Sequence, residues 1–340
     1  MSEAVLPDDV ASRLRGRRTL VTGGLGFIGS NLAFALAEAG SEVTLVDALL
    51  PGQGGNRANV EGLEGVRIVL ADVREEAQLV PLVAANEFVF NLAGQTSHLD
   101  SMEDPFGDLA LNCTAQLVVL EACRRHAPYV RLVFAGTRQV YGRPRTLPVP
   151  EEHPLDPVDV NGIHKLAGEW YHLVYGRVYG LGVSVLRLTN TYGPRMRVRD
   201  ARQTFLGVWI KQLLAGEPIR IFGDGTQRRD FTYVDDAVRA LCLAAVEDAA
   251  LDEVFNVGSL EHVSLLELAK QLVELNGRGV YELVPFPADR LAIDIGDFYA
   301  DASKLEQRLG WSAQVGLGDG LARTLEYFRR HGERYWGEDA

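Results

Sequence analysis

Three glycines constrain this chain more than any other feature. Gly23, Gly26 and Gly29 fall in Thr22-Gly23-Gly24-Leu25-Gly26-Phe27-Ile28-Gly29, after the apolar run Thr19-Leu20-Val21 and before the apolar stretch Ser30 to Glu38. The order is strand, glycine turn, helix. Gly23 permits a tight turn, Gly26 lets backbone approach a pyrophosphate, and Gly29 lets the helix pack close to the strand, so that phosphates face the helix N-terminus. Phe27 and Ile28 belong to the same expected dinucleotide-binding turn. The next strand, Glu42 to Asp47, ends about 20 residues on in an acid placed to accept a ribose 2′-hydroxyl. Asp47 would repel a 2′-phosphate, so the expected cofactor is NAD rather than NADP.

The rest of the chain alternates in the same way. Strand-like runs at Val66 to Leu70, Phe88 to Gly94, Val130 to Ala135 and Gly182 to Leu188 are separated by helical stretches from about Glu75 to Ala85, Asp104 to Arg125, and onward from Lys165. This alternation predicts an α/β doubly wound parallel sheet of the Rossmann kind. After Asn190 the pattern breaks into shorter pieces with Gly and Pro punctuation, which predicts a smaller α/β lobe over the strand ends. The expected division is 16–190, with 228–260 returning to the sheet, against 191–227 and 261–335. The first dozen residues and Gly337 to Ala340 read as frayed ends.

With 340 residues, 47% hydrophobic and 24% charged, the chain has enough apolar residues for both units. A formal net charge of −12 argues against nucleic-acid and anionic-membrane partners, which need clustered cations. Cys113, Cys123 and Cys242 have no metal-type spacing and read as buried small hydrophobes in a reducing compartment, so no metal site is expected. No N-terminal run resembles a signal peptide and no uninterrupted apolar run is long enough for a bilayer, giving an expected cytoplasmic location.

Further motifs lie in a fixed order: Asp72-Val73, Leu92-Ala93-Gly94, Thr137 with Val140-Tyr141-Gly142, Lys165, Asn190-Thr191-Tyr192-Gly193-Pro194-Arg195, and Gly223-Asp224-Gly225 leading to Arg229-Asp230-Phe231. With the glycine turn and Asp47 they make the chain, from about Arg17 to Tyr327, resemble an extended short-chain dehydrogenase/reductase of the nucleotide-sugar epimerase/dehydratase kind. The resemblance implies that Asp72 and Val73 contact the adenine and that Leu92 and Ala93 lie along the cofactor. It implies that Lys165 holds the nicotinamide ribose and that Thr137 bonds the reacting sugar hydroxyl. Asn190, Arg195, Arg229 and Arg290 match or adjoin elements that bind the sugar diphosphate, where guanidinium forks suit phosphate oxygens. It also implies a homodimer paired through about Met102–His126 and Gly162–Tyr179.

In this family a tyrosinate takes the proton of a sugar hydroxyl while hydride passes to the nicotinamide, and the fate of the ketone defines the enzyme. Dehydratases carry Asp-Glu directly after the threonine, and decarboxylases carry Glu at the second place; here those places hold Arg138 and Gln139. Epimerisation is then the expected reaction, by elimination. The tyrosine itself, four places before Lys165, is Asn161. A carboxamide does not exchange a proton near neutrality. The reading leaves His98 as the first replacement proton carrier, ahead of Tyr141 and His164, or a water held by Asn161. It equally leaves a binder of NAD and nucleotide sugar that is catalytically impaired, with a regulatory or assembly role, and an asparagine of either natural or engineered origin.

Overall fold

Strands rich in Val, Leu and Phe form the centre of the molecule, buried on both faces except at the exposed edge strand Arg67–Leu70, as a parallel sheet covered by helices requires. They are β1 (Arg18–Thr22), β2 (Glu42–Asp47), β3 (Arg67–Leu70), β4 (Phe88–Asn91), β5 (Arg131–Thr137) and β6 (Gly182–Leu188). A seventh strand, Val254–Val257, pairs with β6, and the sheet runs Val254–Val257, β6, β5, β4, β1, β2, β3, parallel throughout. The strand order reverses between β1 and β4. A crevice at the carboxyl ends of the strands is therefore built into the topology there. The computed structural model describes residues 4–200, 204–259 and 261–336.

The glycine turn is shaped as its sequence requires. Gly23 has φ +67°, open to glycine at little cost, and a Cβ on Gly29 would lie 2.3 Å from the Gly23 carbonyl oxygen. The helix Phe27–Glu38 can pack this close to β1 only because neither position carries a side chain.

Beyond Asn190 lie two small sheets. Asn190–Tyr192 pairs in parallel with Arg228–Tyr233, which is antiparallel to His262–Ser264; Ile219–Phe222 pairs with Tyr281–Val284. A largely apolar core cluster runs unbroken from the first helix of the sheet domain to Leu317, Leu321, Leu325 and Phe328 of the helix Leu317–His331.

One sequence expectation changes. The first dozen residues are not frayed throughout: Asp8–Leu14 is a helix whose Val10 and Leu14 are fully buried. Gly337 to Ala340 lie outside the described residues. Pro105–His126 is long and apolar enough, at mean hydropathy 1.2, to cross a membrane by length and composition, although Asp108 and Glu121 interrupt its apolar run. Half of it is buried inside the protein, where Val119, Leu120 and Cys123 pack in the core beneath β4 and β5. A π turn at Ala110–Thr114 interrupts this helix. The turn carries Asn112, whose amide bonds both backbone groups of Gln95 and fixes the loop after β4.

Candidate active site

The crevice is a cavity of about 290 Å³. One end is walled by Gly23, Gly26, Phe27, Ile28, Gly29, Asp47, Asp72, Val73, Leu92 and Ala93; the other by His98, Thr137, Arg138, Gln139, Asn161, Lys165 and Asn190. Residues from the ends of β1, β2, β4, β5 and β6 thus meet in one space.

At the first end Asp47 is fixed by backbone, accepting from the Leu25 N–H at 3.1 Å and the Leu49 N–H at 2.8 Å. Burial raises its carboxyl above the usual range, against the pull of those two bonds. Asp72 is engaged by Arg74, with N···O 2.5 Å, and this partner holds its carboxyl below the usual range. A side-chain-free helix N-terminus, a backbone-anchored acid at the end of β2 and the apolar Leu92–Ala93 wall together fit an adenine dinucleotide.

At the second end the helix Val160–Tyr179 brings in Asn161 and Lys165. Lys165 is buried, with no counter-ion within salt-bridge distance among the described residues, and its ammonium packs against Gly94, where a Cβ would stand 2.8 Å from Nζ. Burial pushes it down to about 8, with the Asp108 carboxylate partly opposing. An unpaired cation at this place suits a ligand that brings hydroxyl or phosphate oxygens.

Asn161 is fully buried against protein and polar groups. Its Nδ2 donates to the Gln95 carbonyl at 3.0 Å and to Asp108 Oδ2 at 2.8 Å, while Oδ1 finds no protein partner. Asp108, also fully buried, pairs through Oδ1 with His164 Nδ1 at 2.7 Å. His164 is therefore committed to Asp108 and is not part of the cavity wall.

Tyr141 is likewise excluded as a proton carrier. It is fully buried, donates to Asn256 Oδ1 and accepts from Arg187, each at 2.7 Å, and burial pushes its hydroxyl up to about 12.

Of the three candidates, His98 alone lines the cavity. Both its ring nitrogens are held: Nδ1 pairs with Asp159 Oδ2, and Nε2 faces the Gln139 amide nitrogen. Both contacts are satisfied by the tautomer with its proton on Nδ1, which leaves the Nε2 lone pair to accept from Gln139. Burial raises the Asp159 carboxyl, but the His98 hydrogen bond, with help from the Gly162 N–H and the Arg138 charge, outweighs it and holds the group below the usual range.

Three of the four expected substrate contacts stand off the cavity. Arg195, at φ +70°, donates to the Asn59 carbonyl and to Asn31 Oδ1 and stacks over Phe34 at 4.1 Å, which ties the smaller lobe to the first helices. Arg229 is buried and donates to the Arg228 and Gly296 carbonyls, with Asp294 at 3.9 Å. Arg290 stacks over Phe222 at 5.3 Å. Asn190 does line the cavity, donating to the Asp230 carbonyl and accepting from Arg138. Asp159, Asp108 and the cavity-facing role of Arg138 were missed. Asp159 had a local signal, an acid at a helix start after Pro157, but its link to His98 had none.

Comparison with known proteins agrees with this geometry. The profile of the NAD dependent epimerase/dehydratase family matches residues 19–258. A UDP-glucose 4-epimerase of Mycolicibacterium smegmatis is 34% identical over 92% of this chain and 98% of its own. A dTDP-glucose 4,6-dehydratase of Streptomyces niveus is 31% identical over 94% and 95%. The crystal structure of a UDP-glucose 4-epimerase with UDP-glucose from Thermotoga maritima superposes with a TM-score of 0.82 at 34% identity, over 92% of this chain and 99% of that one. With a matching profile, relatives along nearly the whole length and a shared parallel-sheet architecture, the chain belongs to the NAD-dependent epimerase/dehydratase family.

Proposed function

We propose that this protein is an NAD-dependent nucleotide-sugar epimerase in which the His98–Asp159 pair carries the proton that a tyrosine carries elsewhere in the family. The observation behind this reading is that His98, on the cavity wall with Thr137 and Lys165, has its Nδ1 held by a buried carboxylate. That is how an imidazole is made a general base: the carboxylate fixes the tautomer that presents a lone pair at Nε2 and stabilises the imidazolium formed when a proton arrives. Gln139 guards that lone pair, and a sugar hydroxyl would displace its amide. Thr137 Oγ1 would hold the same hydroxyl, and Lys165 and Asp47 would bind the two riboses of the cofactor. NAD, when bound, supplies the acceptor and later donor of hydride at the sugar carbon. With no carboxylate at 138 or 139, the chain offers no group there for elimination or loss of a neighbouring substituent, and return of hydride to the other face remains.

Incubation with a panel of nucleotide sugars, read by NMR for isomerised product with solvent deuterium exchange followed alongside, tests the reading. Turnover is expected, and His98→Ala should lower kcat by roughly 10²–10⁴ while NAD still co-purifies. Unchanged kcat in His98→Ala would remove the histidine as proton carrier. Binding of NAD and nucleotide sugar without turnover would favour a second reading, a regulatory or assembly-linked binder. That alternative draws on one observation, the commitment of both Asn161 amide hydrogens to protein partners.

A further inference from the structure

The cavity holds a second cation that the epimerase chemistry does not use. Arg138 follows Thr137 directly at the end of β5 and lines the same wall. Its guanidinium donates one hydrogen bond, to Asn190 Oδ1 at 3.2 Å, and lies over the Phe298 ring at 5.2 Å. No carboxylate of the described residues is within salt-bridge distance of it. A guanidinium has five N–H donors in a planar fork, so most of this one is unspent. Burial, reinforced by the charge of Arg229, pushes it down to about 10. Arg138 is half-buried, and a cation partly withdrawn from water ordinarily finds a partner for its charge. Three acids act on it from beyond salt-bridge distance: Asp230, raised to about 6 by burial, Asp159, which holds His98, and Asp294, taken up with Arg229 and Gln227.

We propose that Arg138 forms a subsite for a carboxylate on the sugar ring, so that the substrate is a nucleotide-linked sugar acid rather than a neutral hexose. This rests on the epimerase reading above and narrows it. The fork of a guanidinium matches a carboxylate in two parallel bonds, and stacking on Phe298 with Asn190 behind holds the plane fixed. Adjacency to Thr137, the residue expected at the reacting hydroxyl, puts the fork beside the sugar. A diphosphate is the other anion such a fork could take, and it differs in being common to every nucleotide sugar.

The test compares binding of UDP-glucuronate, UDP-glucose and UDP to the NAD-loaded protein by calorimetry, repeated with the corresponding GDP and dTDP compounds where the uridine series does not bind. The acid is expected to bind at least tenfold tighter than the neutral sugar. Arg138→Gln should abolish that preference, leave the neutral sugar and the bare nucleotide within about twofold, and keep its NAD content as a check on folding. Arg138→Lys, which keeps charge but loses the fork, should fall between. Equal binding of acid and neutral sugar in the wild type overturns the proposal. So does an equal loss for all three ligands in Arg138→Gln, which would make the fork a diphosphate contact. Tight, selective binding of the acid without any turnover would leave this subsite standing and defeat the epimerase reading instead. Absence of binding by every nucleotide sugar would defeat both.

Discussion

Asn161 is more than the loss of a phenol. Its amide bridges the Gln95 carbonyl and the Asp108 carboxylate, and Asp108 in turn holds His164, so the residue closes a buried polar network on the floor of the cavity. A tyrosine there would leave Asp108 Oδ2 without this donor, while the Gln95 carbonyl would keep Asn112, and a buried acceptor left unpaired costs about 1–3 kcal/mol. Lys165, one helical turn on, is the opposite case, since no carboxylate among the described residues pairs with it. Its pKa falls from 10.5 to about 8 on burial, so below pH 8 the folded state carries a charge it disfavours. Between about 8 and 10.5 the unfolded chain holds more protons than the folded one, and stability rises with pH through that window as the burden is relieved. Lys165→Met should therefore raise the stability of NAD-stripped protein at pH 7 by on the order of 1–3 kcal/mol, with the advantage shrinking from pH 8 to 10.5. The same variant should fail to retain NAD. Thermal melts across that pH range decide it: a lower melting temperature than wild type at pH 7 would show that the charge is no burden.

At the scale of elements, the start of the helix Val160–Tyr179 does two tasks with one carboxylate. Asp159 Oδ1 caps the helix by accepting from the Gly162 N–H at 2.6 Å, and Oδ2 holds His98. These separate cleanly in variants. Asp159→Asn keeps a good cap, so its stability should stay within about 1 kcal/mol of wild type, whereas Asp159→Ala should lose about 1 kcal/mol or more. Turnover should fall in both, by at least tenfold and up to about 10⁴, because an amide no longer fixes the tautomer or stabilises the imidazolium. Wild-type kcat in Asp159→Asn would end the case for the pair. This helix also shows what was legible in the sequence. Strand, glycine turn, helix and Asp47 could be read because each depends on neighbours within about 25 residues, and Lys165 because its register after residue 161 is local. The partner of His98 lies 61 residues away on another element, and no periodicity reports such a meeting. Arg195 shows the same limit: its motif is local, but the groups that bond its guanidinium, Asn31 and Asn59, come from far earlier in the chain.

At the scale of the whole molecule, the site helix has a second face that the described residues leave uncovered. Ile163, Trp170, Val174 and Val178 recur seven and then four residues apart, one stripe of a helix, and are 52%, 45%, 45% and 65% exposed. Phe106, 80% exposed, and Leu109, 40% exposed, begin the neighbouring helical stretch that packs alongside it. Single exposed apolar side chains are ordinary, but a contiguous stripe with a tryptophan at its middle marks an association surface. A second copy related by a two-fold axis is the simplest cover, since the same stripe then meets itself. We expect a homodimer, seen in light scattering as twice the 37.3 kDa chain mass at micromolar concentration. Trp170→Glu puts an unpaired charge at the centre of that contact and should weaken association by a hundredfold or more, on the order of 3 kcal/mol. Because Asn161 and Lys165 point from the same helix into the cavity, the monomeric variant should retain NAD yet lose some turnover as the helix loses its support. A wild-type protein that is monomeric at micromolar concentration sinks the expectation; a Trp170→Glu variant that remains fully dimeric moves the interface to another face.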